Sequence, residues 1–92
     1  MNVRFGADAL NDLDTIFVRV AKDDQRAAAR LVARFEYAAA TIGTFSQIGN
    51  KTDRQNIRTF PVGNYLLIYQ TQSHEVLILQ VRHSARLWSL EE

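Results

Sequence analysis

Cysteine is absent from the 92 residues. That excludes disulfides, a thiol nucleophile and cysteine-ligated zinc, and it suits a reducing compartment. Net charge is nearly absent as well: eleven Lys+Arg against ten Asp+Glu leave +1, far from the markedly basic balance of a typical nucleic-acid-binding domain. Long apolar runs are missing. The longest, Tyr65 to Tyr69, is strand-sized, against the roughly 18–20 residues that cross a bilayer. The opening MNVRFGADALND lacks a charged segment leading into an apolar run, so no secretory signal is expected, and the expectation is a cytoplasmic protein away from membranes. A glycine-rich phosphate loop and a Gly-x-Ser-x-Gly elbow are absent. His74 and His83 are not spaced as a helical metal pair, so no metal and no cofactor are expected.

What is present fits one small domain over residues 1–92. The chain is 47% hydrophobic and 23% charged, ordinary for a globular protein, and too short to enclose a deep substrate chamber. Its basic residues are nine arginines and two lysines, Lys22 and Lys51. Arginine's planar fork suits carboxylate or phosphate pairing, which points to an interface; codon bias is the plain alternative.

The hydrophobic period divides the chain. Asn2 to Phe5 reads as a short strand ended by Gly6. Leu10, Leu13, Ile16, Phe17, Val20 and Ala21 then recur at helical spacing, predicting a helix over 7–21 capped by Asp8. Asp23 or Asp24 starts a second helix whose apolar face is Ala28, Leu31, Val32, Phe35, Ala38, Ala39 and Ile42. Gly43 occupies the place of a left-handed C-terminal cap. A link of two or three residues makes the pair an antiparallel hairpin. Arg26, Arg30 and Arg34, four apart, belong to a solvated face. Residues 44–56 read as a long polar loop with one apolar pair, Phe45 and Ile48; loops of this length are often functional, and this one and the helix pair are the expected contact regions for a partner.

The last third switches to strand signals: Ile57 to Phe60, turn residues Pro61 to Asn64, Tyr65 to Gln70, then Val76 to His83. The run Val76-Leu77-Ile78-Leu79 is apolar on both faces, so that strand should be central, with helices on one side and a partner chain as a candidate cover for the other. The fold class is therefore α+β: an amino-terminal antiparallel helix hairpin packed on a small antiparallel β-sheet.

Several side chains are candidates for contact. Arg58 has two destinations, a partner carboxylate or an internal acid such as Glu75. Arg82 and Arg86 bracket the end of the central strand, and with Arg58 they form a candidate basic patch. His83 reads as a hydrogen-bonded structural histidine rather than an acid–base group. Tyr65 and Tyr69 read as sheet core with satisfied hydroxyls. Trp88 is an anchor on the domain or, more in keeping with a tail position, an interface residue.

Arg58-Thr59-Phe60-Pro61-Val62-Gly63-Asn64-Tyr65-Leu66-Leu67-Ile68-Tyr69 resembles a segment of ParE-type toxins in the RelE/ParE superfamily. Val81-Arg82-His83-Ser84-Ala85-Arg86 is similar to that group's ending. Phe45-Ser46-Gln47-Ile48-Gly49 is similar to its loop, with Ser46 where proline is usual, and Ala7 to Ile16 is similar to its first helix. The resemblance implies the toxin of a type II toxin–antitoxin pair that inhibits DNA gyrase and is neutralised by a ParD-like antitoxin. It implies no enzyme, and contact with DNA only through antitoxin or gyrase. RelE-like relatives are ribosome-dependent messenger-RNA endonucleases, the alternative activity. Their cations would fall at Ile57, Thr59 and Leu66 here; Arg86 alone matches, and the C-terminal tyrosine position falls near Glu92. A third possibility is an inactive interaction module.

Overall fold

A computed structural model describes residues 1–84; Ala85 to Glu92, with Arg86 and Trp88 among them, lie outside the described residues. The elements run β1 (Asn2–Phe5), α1 (Ala7–Asp23), α2 (Gln25–Thr44), β2 (Asn50–Lys51), β3 (Ile57–Val62), β4 (Tyr65–Thr71) and β5 (Glu75–His83). The five strands form one sheet in the order β1-β5-β4-β3-β2. Both helices pack on one of its faces. Among the described residues no helix is long and apolar enough to cross a membrane.

The α+β architecture and the helix hairpin follow the sequence pattern, but the sheet is mixed rather than antiparallel. β3, β4 and β5 form the expected antiparallel meander. β1 lies parallel to β5, pairing Asn2 with Glu75 and Phe5 with Ile78. The helix hairpin carries the chain from β1 to β2 at the far edge, and β3 and β4 bring it back to β5, which together make the long connection that parallel neighbours require. β5 thus has a strand on each side, as its doubly apolar run demands.

The core lies between hairpin and sheet. Ile16, Phe35, Ala38 and Ile42 meet Leu67, Tyr69, Val76, Ile78 and Val81. Inward positions on β5 step 76, 78, 81 because its register against β4 slips: Tyr69 faces Ile78, whereas Ile68 faces Gln80. The extra residue frees the Val81 N–H, which donates to Asp12 Oδ2 of α1 at 2.9 Å. A helix carboxylate thereby closes the bulge.

Caps and turns differ from the expected ones in three places. Asp24 is the single residue between the helices, and its side chain accepts from the N–H groups of Arg26 and Ala27. Asp8, by contrast, caps nothing: Gly6 is the N-cap of α1 in extended conformation, and Asp8 stands in the first turn. Gly43 is inside α2, which runs on to Thr44 and is capped by Phe45. A Cβ at Gly43 would stand 2.9 Å from both Met1 O and Val3 Cγ2, so close approach of β1, not a left-handed cap, selects glycine. Pro61 and Val62 belong to β3, paired with Leu66 and Tyr65, and the turn shortens to Gly63 and Asn64. Pro61 sits beyond the end of β2, where β3 has lost its outer neighbour and a missing N–H costs no ladder bond. Leu10 and Phe17, expected on the buried face of α1, are exposed; Ile16 is buried as expected, and Ala9 is buried with it.

Candidate functional site

Side-chain alternation gives the sheet two unlike faces. Phe60 and Val62 of β3, Leu67 and Tyr69 of β4, and Val76, Ile78 and Val81 of β5 face the helices. Their alternates, Ile57, Thr59, Leu66, Ile68, Leu77 and Leu79, form the opposite face, which neither helix covers and which is half-buried by its own neighbours. Arg4 of β1 meets Glu75 of β5 on that side at 3.1 Å, and Arg82 Nε donates to Gln80 Oε1 at 3.1 Å. A groove of about 470 Å³ runs over Ile57, Thr59, Ile68 and Leu79, walled by Asp53 and Arg54 of the β2–β3 loop.

A second groove, of about 430 Å³, lies on the other side, between α2 and β3. Its floor is Ala38, Phe60 and Val62, and Tyr37 and Arg34 stand at its rim. Tyr37 is 78% exposed, an uncommon position for a large ring on a helix that buries six of its residues. The Arg34 guanidinium reaches toward Gly63 at the tip of the β3–β4 turn. Arg26, Arg30 and Arg34 all stay on the solvated face of α2.

The segment after α2, expected as an irregular polar loop, is internally tied and contains β2. Phe45 N–H donates to Thr41 O at 2.8 Å, and Ile48 N–H to Phe45 O at 2.9 Å. Tyr69, fully buried on β4, donates its hydroxyl to Ser46 O and accepts from Gly49 N–H, both at 2.9 Å. Arg58 Nη1 donates to Gln47 O at 3.1 Å and Gly49 O at 2.8 Å, while its Nη2 meets Gln47 Oε1. A Cβ at Gly49 would lie 2.6 Å from the Tyr69 hydroxyl and 2.8 Å from Thr59 O, so only glycine fits there. Phe45 and Ile48 project outward from this staple.

Of the five sequence candidates, Arg58, Arg82 and His83 lie among the described residues, and Arg58 and Arg82 fall on opposite faces of the sheet. Arg58 pairs in register with Tyr69 and therefore shares its helix-side face, where it is engaged with backbone carbonyls; neither a free surface nor Glu75 receives it. Arg82 pairs with Leu66 on the opposite face. His83 stands edge-on to Tyr65, ring centroids 5.3 Å apart, beside a cleft that also holds Asp12 and Arg19. Arg86 and Trp88 lie outside the described residues. Sequence reading missed Tyr37 as a surface feature; it singled out Phe45 and Ile48 as an apolar pair in a polar loop but not the backbone ties beneath them. The signal for Tyr37 was its place off the Phe35–Ile42 stripe.

Sequence and structure comparisons now fix the class. The family model for the ParE toxin of the type II toxin–antitoxin system parDE matches residues 3–88. A candidate toxin, Y4kP, of Sinorhizobium fredii (strain NBRC 101917 / NGR234) is 32% identical over 88 residues, covering 94% of this chain and 91% of the relative. Among solved structures, the chromosomal ParDE system of P. aeruginosa superposes with a TM-score of 0.76 at 17% identity, covering 90% of this chain and 95% of that one. The RelBE2 toxin–antitoxin complex of Mycobacterium tuberculosis gives 0.61 at 26% identity, covering 89% and 95%. YafQ of E. coli strain BL21(DE3) gives 0.58 at 11% identity, covering 95% and 97%. The fold is that of RelE/ParE-type toxins. The chain belongs to the ParE toxin family of type II toxin–antitoxin systems.

Proposed function

We propose that this chain acts by binding: it poisons DNA gyrase without catalysing a reaction of its own, and a ParD-like antitoxin neutralises it. The observation that carries this reading is the chemistry of the uncovered sheet face. Ile57, Thr59 and Leu66 alternate onto it together, and they are the positions at which RelE-like nucleases would present cations. An apolar or neutral side chain there cannot stabilise the charge that develops on a cleaved phosphodiester. Removing one such electrostatic donor costs about 10²–10³ in rate, so three replacements argue against cleavage.

The antitoxin reading has its own support. The groove between α2 and β3 is concave, apolar at its floor and cationic at its rim. A disordered, acidic segment with apolar side chains at helical spacing fits such a groove and would fold as it binds. A stable interface buries more than about 1,000 Å², so the segment must extend beyond the groove onto the neighbouring surface.

The deciding experiment pairs two assays on the purified chain. Supercoiling of relaxed plasmid by E. coli gyrase should be inhibited, and programmed ribosomes should show no messenger-RNA cleavage. Codon-specific cleavage that disappears in Arg86→Ala would instead establish the nuclease, and inactivity in both assays the interaction module.

A further inference from the structure

The turn after α2 is rigid underneath and apolar on top. Phe45 is 61% exposed and Ile48 46% exposed, although neither contributes to the buried core. Beneath them the backbone is tied at successive residues: Phe45 to α2, Ser46 and Gly49 to Tyr69, Gln47 and Gly49 to Arg58. The buried Tyr69 of β4 and the half-buried Arg58 of β3 are thus committed to holding a five-residue surface turn in one shape.

We propose that Phe45 and Ile48 form a preorganised knob that inserts into an apolar, carboxylate-rimmed cavity on the folded target protein of this toxin. The inference rests on the reading of the chain as a toxin that acts by binding, and it names the surface that touches the target. Three observations select this occupant. The turn is convex, so it matches a concave pocket already formed in a folded partner. A disordered antitoxin segment needs a groove or a sheet edge, and the edge strand that follows the turn, β2, is only two residues long. The adjoining cavity of about 390 Å³ brings Lys51, Arg54 and Arg58 next to Gln47 with Asp53 as the one acid in its lining, and among the described residues neither Lys51 nor Arg54 has an ion-pair partner. A rim of carboxylates would satisfy both. A second copy of the chain fits worse: in its α2–β3 groove Arg34 would face Lys51 and Arg54 with like charge, and in its sheet-face groove the one wall carboxylate, Asp53, is next to Arg54 in the chain.

Rigidity gives the knob its affinity. An aromatic and an aliphatic anchor held in the bound geometry lose little conformational freedom on docking, and anchors of this kind dominate interface energetics. Losing both anchors should weaken target binding by at least ~30-fold, the equivalent of ~2 kcal/mol.

The test uses the full chain with Phe45→Ser and Ile48→Ser combined, and Leu10→Ser on α1 as an exposed apolar control. Three quantities are read: thermal melting, growth arrest on induction in E. coli, and the concentration that half-inhibits plasmid supercoiling by E. coli gyrase. The double variant should melt near the native temperature, no longer arrest growth, and need at least ~30-fold more protein for inhibition. Leu10→Ser should match the native chain. If the native chain arrests growth without touching gyrase, and the double variant does not arrest growth, the knob stands and only the gyrase reading falls. A folded double variant that arrests growth like the native chain overturns the knob whatever the target is. So does a native dimer that becomes monomeric in the double variant with toxicity unchanged, because the turn would then serve self-association.

Discussion

One buried hydroxyl, that of Tyr69, donates to Ser46 O and accepts from Gly49 N–H. In Tyr69→Phe the ring still fills its place, but the buried Gly49 N–H and the Ser46 carbonyl lose their partner. The expected cost is ~1–3 kcal/mol, read from urea unfolding, with faster hydrogen exchange at Gly49 as the local signature. An unchanged Gly49 exchange rate would mean that the turn is held by Arg58 alone. That Tyr69 belongs to the core was legible from its strand context; its two partners were not, because they are backbone groups 20 and 23 residues away in a loop without periodicity. Arg58 shows the same limit. Charge complementarity directs a sequence reader to acids such as Glu75, whereas the guanidinium fork is satisfied by carbonyls of Gln47 and Gly49, which every residue carries.

At the scale of elements, the helices were legible to within two or three residues, since their apolar stripes and the Asp24 cap are local signals. Asp24→Ala should lower stability by ~1 kcal/mol in chemical denaturation, because two N–H groups at the start of α2 lose their acceptor. The bulge of β5 was not legible, because it requires Asp12 from 69 residues away. Asp12→Ala should leave the Val81 N–H without an acceptor at a cost of ~1–3 kcal/mol. Asp12→Asn keeps an oxygen in place and should recover part of that loss; equal melting of the two variants would show that the bulge does not depend on the acceptor. Gly43 was misread for a related reason. Its neighbour across the helix is β1, and no local pattern places a strand there.

Across the whole molecule, neither Phe45 nor Ile48 lines the α2–β3 groove, so on the proposed reading neutralisation and toxicity would use different contacts. Apolar burial is not screened by salt, whereas steering by Arg26, Arg30 and Arg34 is. Raising ionic strength should therefore slow antitoxin association severalfold while leaving dissociation nearly constant, measurable by stopped flow on the toxin with its antitoxin. Complete dissociation at moderate salt would contradict a groove held mainly by apolar contact. Family and fold class were legible because the Arg58–Tyr69 segment encodes a hairpin and its turn together. The uncovered sheet face was legible only as an excess of apolar residues in β5.

The parallel pairing of β1 with β5 also sets when the protein becomes itself. Arg4 finds Glu75 across 71 residues of chain, and Phe5 finds Ile78 still later in synthesis. A nascent chain stopped before Glu75 has made the helices and the β3–β4 hairpin but has no strand beside which Asn2–Phe5 can lie, and no Val76, Ile78 or Val81 to close the core. Folding should therefore await the translation of β5. Ribosome-bound chains truncated at Gln72 are expected to be digested rapidly by protease, and chains extended through Ser84 with a linker to be resistant. None of the toxin could then act before β5 has been made.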